Sequence, residues 1–167
     1  MERMCIRTKD DVERLKEVLL GYKRYFQYAN NLENSTIELV DVSAISKVQV
    51  LLHFKLLGQC LDTEGFHIQF EANYASSIEA IVIAVTRKIS EYTEKLSALF
   101  NNLQTCTPST VKWVLCGEDG MYFICCWKDN PLGGRATYTA QFDQTSVLDV
   151  RNMTDLCSKC IDNCLNL

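Results

Sequence analysis

No apolar run in this chain approaches the roughly 20 residues that a helix needs to cross a bilayer, so the sequence predicts no membrane span. The opening stretch, Met1-Glu2-Arg3-Met4-Cys5-Ile6-Arg7, also lacks an apolar h-region, and a secretory signal peptide is not expected. Basic residues are in deficit: 17 Lys and Arg stand against 21 Asp and Glu, a formal charge of −4. That balance argues against phosphate-backbone binding as the main task, because such proteins carry a basic patch. Gly133-Gly134 is too short to cradle a phosphate, and no strand–turn–helix nucleophile elbow is present. Only two histidines occur, His53 and His67. No composition shift or linker divides the chain, so residues 1–167 are expected to form a single α+β domain.

What is present is a globular composition. Hydrophobic residues make up 47% and charged residues 23% of the 167, enough to build a core and too apolar for disorder. Nine cysteines are an odd number and lack the paired spacing of a disulfide scaffold. They point to a reducing intracellular compartment, cytoplasm or nucleus, where thiols behave as small hydrophobes. Asn34-Ser35-Thr36 and Asn152-Met153-Thr154 match the glycosylation sequon and are read as chance matches.

The longest periodic stretch is a central helix from Ser76 to Leu103. Ile78, Val82, Val85, Ile89, Tyr92, Leu96, Leu99 and Leu103 recur at steps of four and three and form one stripe. Ser76 and Glu79 have capping-box spacing. The run Ile81-Val82-Ile83-Ala84-Val85 is apolar all round and is expected to be buried on several sides, while Glu91 and Lys95 stand in the favourable i,i+4 order. A first helix is predicted over 8–29, capped by Thr8 with Asp11, and its apolar set is Val12, Leu15, Leu19, Tyr22, Phe26 and Ala29. Between these helices, alternation predicts strands at 36–42, 47–57 and 66–73, the last two joined through Asp62-Thr63-Glu64-Gly65 with one wet face. After the central helix, strands are expected at 111–116, 121–127 and 135–142. Asp119-Gly120 closes a hairpin between the first two. A last helix begins at about Ser146 or Asn152, with Met153, Leu156, Cys157, Cys160, Cys164 and Leu167 on its stripe. The reading is an antiparallel sheet of about six strands with helices packed on it, in the order α-βββ-α-βββ-α.

Three groups of residues could carry chemistry. Cys157, Cys160 and Cys164 offer one CxxC knuckle and a third thiol but no neighbouring histidine, short of a tetrahedral zinc set. Their i, i+3, i+7 spacing puts them on the helix's apolar stripe, so packing is expected and no metal. His53 and His67 both project from the wet face of the predicted hairpin. They could pair with a thiol or with Glu71, but as solvated polar residues they need no such role. The segment Tyr22-Lys23-Arg24-Tyr25-Phe26-Gln27-Tyr28 is different. It holds four aromatics with two cations between them, and a single core contact cannot cover all four. Tyr and Arg are enriched at interface hot spots, so Tyr22, Lys23, Arg24, Tyr25, Phe26 and Tyr28 are the expected partner-binding residues.

The α-strands-α-strands-α order in a small acidic chain resembles that of the bacterial type III secretion chaperones. That resemblance would imply a non-enzymatic dimer cradling a partner segment; the extra strand and abundant cysteine depart from its pattern. With no catalytic constellation or cofactor motif, the expected function is a non-enzymatic protein–protein interaction subunit, an adaptor or assembly component, with a protein partner or as a homodimer. A secretion-chaperone-like dimer and a cysteine- or histidine-dependent enzyme are the alternatives. Nucleic acid binding is not expected.

Overall fold

The computed structural model describes residues 8–46, 49–58, 61–71, 77–118, 121–129 and 131–167. In chain order the elements are α1 (Lys9–Leu20), α2 (Lys23–Tyr28), β1 (Ser35–Ala44), β2 (Gln49–Gly58), β3 (Leu61–Glu71) and α3 (Ile78–Cys106). Then come β4 (Lys112–Glu118), β5 (Met121–Asp129), β6 (Arg135–Asp143), α4 (Gln144–Leu148) and α5 (Val150–Leu165). The α+β class and the order α-βββ-α-βββ-α are those read from the sequence, with the first and last helices each split in two.

The six strands lie in chain order, β1-β2-β3-β4-β5-β6. They form two antiparallel three-stranded meanders joined by a short parallel contact, in which Leu61, Asp62 and Thr63 of β3 pair with Leu115, Cys116 and Gly117 of β4. A parallel join follows from the connection: a long helix carries the chain from the end of β3 back to the start of β4. Among the described residues three pairs hold the meanders together, so they are staggered along the strand direction.

α1 and α2 contact β1, α3 crosses the join between β3 and β4, and α4 and α5 contact β6. The sheet face under them is closed: Leu52, Phe54 and Leu56 of β2, Leu115 of β4, and Tyr122 and Ile124 of β5 are fully buried. All eight residues of the predicted α3 stripe, from Ile78 to Leu103, are buried against this face. Burying a Val, Leu or Ile side chain is worth about 1.5–3 kcal/mol, so α3 is the element that ties the two meanders into one core.

Several local readings change. The helix predicted over 8–29 breaks at Gly21-Tyr22, where the N–H groups of Gly21 and Tyr22 bond three residues back to Val18 O and Leu19 O at 3.1 and 2.9 Å. A Cβ on Gly21 would stand 3.2 Å from Val18 O, so glycine eases the tight turn. The capping box at its start forms as predicted, with Thr8 N–H donating to Asp11 and Asp11 N–H donating to Thr8 Oγ1. Ser77 caps α3 by accepting from Ala80 N–H at 3.2 Å, while Ser76 lies outside the described residues. Within the all-apolar run, Ile83 is 51% exposed, so only Ile81, Val82 and Val85 enter the core. Glu91 and Lys95 do not close an ion pair among the described residues. β3 begins at Leu61, so Asp62-Thr63-Glu64-Gly65 are strand rather than turn. Residues 47–48, 72–73 and the Asp119-Gly120 turn lie outside the described residues.

The β1 edge is closed in an unforeseen way. Breaking the helix at Gly21 lets α2 set Gln27 against β1, where its amide donates to Ser35 O at 2.9 Å and accepts from Ile37 N–H at 2.7 Å. The side chain thus occupies edge hydrogen-bonding groups that a neighbouring strand would take, which blunts strand addition there. Asn30 adds a donor to Ser35 Oγ at 2.7 Å. Gly58 is required opposite, because a Cβ would stand 2.9 Å from Asn34 O.

Candidate protein interface

The break at Gly21 also decides the fate of the aromatic segment. Phe26 is 1% exposed and stands edge-on to Phe54 of β2, ring centroids 5.7 Å apart and planes at 90°. It is a core residue, which corrects its expected place among the partner-binding side chains. Tyr22 is half-buried with its ring 5.6 Å from that of Tyr25. Tyr25 is 60% and Tyr28 79% exposed, and Lys23 and Arg24 are exposed beside them. Of the six predicted residues, five therefore reach the surface.

A second surface has more apolar character. Every described outward position of the sheet, the face turned away from the helices, is half-buried or exposed, and none is buried. On the first meander these positions are mainly polar: Thr36, Glu38, Asp41 and Ser43 on β1, Gln49, His53 and Lys55 beside Leu51 and Leu57 on β2, and His67, Gln69 and Glu71 on β3. On β4 and β5 they are Val114 and Cys116, then Met121, Phe123, Cys125 and Trp127, with the charged Lys112 opposite Trp127 and Asp129 beyond it at one end. Register packs these side by side, with Cys116 opposite Phe123 and Val114 opposite Cys125. The row runs on through Asp62 to Leu57 of β2, opposite Thr36. Arg135 of β6 lies over the Trp127 ring at 5.2 Å and reaches Asp129 at 3.5 Å, so one end of the apolar stripe carries a charged rim.

The signal for this stripe is in the sequence. Met121 to Trp127 is apolar at every position, whereas a strand with one wet face should alternate. Reading 121–127 only as a strand missed that both of its faces are apolar.

His53 and His67 are directly opposed in register on the first meander, their rings stacked at 4.6 Å and 19°. No group of three or more His, Cys, Asp and Glu side chains placed to hold a metal is found among the described residues. The seven described cysteines are free thiols. Cys160 and Cys164 of α5 are buried, and they meet Cys126 of β5 in the core. Burial, with neighbouring Cys164, pushes the Cys126 thiol up to about 11. Burial, with Cys157 and Cys126 close by, pushes Cys160 up to about 12. Such thiols stay protonated and behave as packing groups rather than nucleophiles. Tyr92 of α3 and Tyr122 of β5 bury their rings 6.3 Å apart, and burial raises both phenols, Tyr122 to about 12.

Comparison with known proteins brings no relative: no family model matches the chain, and neither a curated protein nor a solved structure is found similar to it. No helix among the described residues is long and apolar enough to cross a membrane.

Proposed function

We propose that the chain is a non-enzymatic protein-interaction subunit that receives a protein partner on the outward face of β4 and β5. The observation that carries this reading is the stripe of Val114, Cys116, Phe123, Cys125 and Trp127 on a sheet face with no buried outward position among the described residues. Contiguous apolar patches of this kind are rimmed by polar groups where they serve as interaction sites, and Arg135 and Asp129 form such a rim. Trp and Arg are also the residue types enriched at hot spots. Tyr25 and Tyr28, with Lys23 and Arg24, form a second, smaller contact on α2. An adaptor or assembly component fits this arrangement; the secretion-chaperone-like dimer differs from it in making a second copy one of the partners.

The test is affinity purification from cells with the wild-type chain, Phe123→Lys and Tyr25→Lys, each checked for folding by circular dichroism. A defined companion lost with Phe123→Lys and retained or only weakened with Tyr25→Lys is the expected result. A companion indifferent to Phe123→Lys would overturn the placement of the site.

A further inference from the structure

We propose that the groove between α3 and α5 binds a free long-chain carboxylate, its head on Lys95 and its hydrocarbon along Leu99 and Met153. The groove encloses about 410 Å³, within the ~300–1,000 Å³ range of small-molecule sites. Its α3 wall runs from Lys95 to Cys106, about 16 Å at the helical rise, which is the length of an extended chain of about a dozen carbons. Ala98, Leu99, Val150, Met153 and Ile161 make the groove mostly apolar. Val150 remains 65% exposed there, an apolar side chain left in water beside an apolar wall.

Charge selects the head group. Among the described residues Lys95 is the one charged side chain lining the groove. It is half-buried and has no ion pair among the described residues, Glu91 one turn earlier included. An ammonium at an apolar groove with no counter-charge among the described residues favours an anion. Asp149, beside Val150, already accepts from the N–H groups of Arg151 and Asn152 as the cap of α5. A single hydrocarbon chain of about a dozen carbons matches the length of the α3 wall.

Two thiols report on occupancy, since exposed Cys106 and half-buried Cys157 both line the groove. The full chain is titrated with dodecanoate below its micelle threshold, with dodecyltrimethylammonium as the cationic control. Binding is read by calorimetry, and N-ethylmaleimide labelling of Cys106 and Cys157 by mass spectrometry. The proposal expects one saturable dodecanoate site per chain, slowed labelling of both thiols, and at least tenfold weaker binding of the cation. Lys95→Glu should weaken dodecanoate at least tenfold, and Ala98→Trp, which fills an exposed part of the groove, should abolish protection. Equal binding of the two amphiphiles overturns the proposal. So does unchanged dodecanoate affinity in folded Lys95→Glu, or binding that leaves thiol labelling unaltered.

Discussion

The two meanders share strand number and a common helix, yet their outward faces differ in character. β1–β3 present mainly acids, amides, hydroxyls, Lys55 and a histidine pair, with Leu51 and Leu57 among them, whereas β4–β5 present Val114, Cys116, Phe123, Cys125 and Trp127, with Lys112 at one end. Their inward faces are alike, with Leu52, Phe54 and Leu56 in one and Leu115, Tyr122 and Ile124 in the other, all fully buried. The fold therefore needs the inward pattern in both halves and the outward apolar pattern in neither. What differs between two halves of one architecture is the best guide to what the fold does not explain, and that difference lies at β4 and β5.

The comparison breaks most visibly if the two inward faces prove unequal. Ile89 of α3 is fully buried, and Ile89→Asp should destabilise the chain by about 4 kcal/mol or more through an uncompensated buried charge. Leu52→Ala and Ile124→Ala, one in each meander, should each cost about 2–5 kcal/mol in denaturant unfolding. They should do so in a single transition, because α3 ties both halves together. Two separate transitions would show that the halves fold independently.

A medium effect separates the halves by pH. Cys126, Cys160 and Tyr122 pack within or against the second meander, with pKa values raised to about 11, 12 and 12 from ordinary values of 9.0, 9.0 and 10.0. In the unfolded chain these groups ionise first, so the folded state binds more protons once the pH passes about 9. Their contribution is fully present below pH 9 and is lost as the pH rises toward 12. The melting temperature should fall over that window, and Cys160→Val should flatten the fall. An equally steep decline in Cys160→Val would show that the thiol cluster is not its source.

The smallest effects are at the surface. Tyr25→Ala and Tyr28→Ala should change folding stability by about 0.5 kcal/mol or less, because both rings are mostly in solvent. Phe26→Ala, one residue away, should cost about 3–5 kcal/mol. Thermal melts of the three variants read that contrast directly.

Periodicity made the α3 stripe, the six strands and their order legible, because burial of one face imposes a repeat on the sequence. The alternation over 135–142 likewise predicts the half-buried and buried Ala136, Tyr138, Ala140 and Phe142. What periodicity could not deliver were choices made by tertiary contact. The apolar steps through Tyr22 and Phe26 continue the spacing of α1, so the break at Gly21 is hidden by a pattern that suits an unbroken helix equally well. Phe26 then joins the core, and Gln27 becomes an edge cap, through contacts with β1 and β2 that lie 8 to 28 residues away in sequence. The parallel join of β3 and β4 is invisible for the same reason: three residue pairs leave no periodic trace. The candidate site was half legible. The Tyr22–Tyr28 cluster is conspicuous by composition, while the β4–β5 stripe is conspicuous only once one face is known to be covered.

Site-specific photocrosslinking tests the central claim most directly. A photoreactive phenylalanine analogue is placed in cells at Phe123 on the outward face of β5, and separately at Gln69 on the outward face of β3. A defined protein adduct from position 123, absent from position 69 and lost when Trp127→Glu is added, is the result predicted. Adducts from position 69 alone, or of equal yield from both positions, would contradict the reading of the second meander as the partner surface.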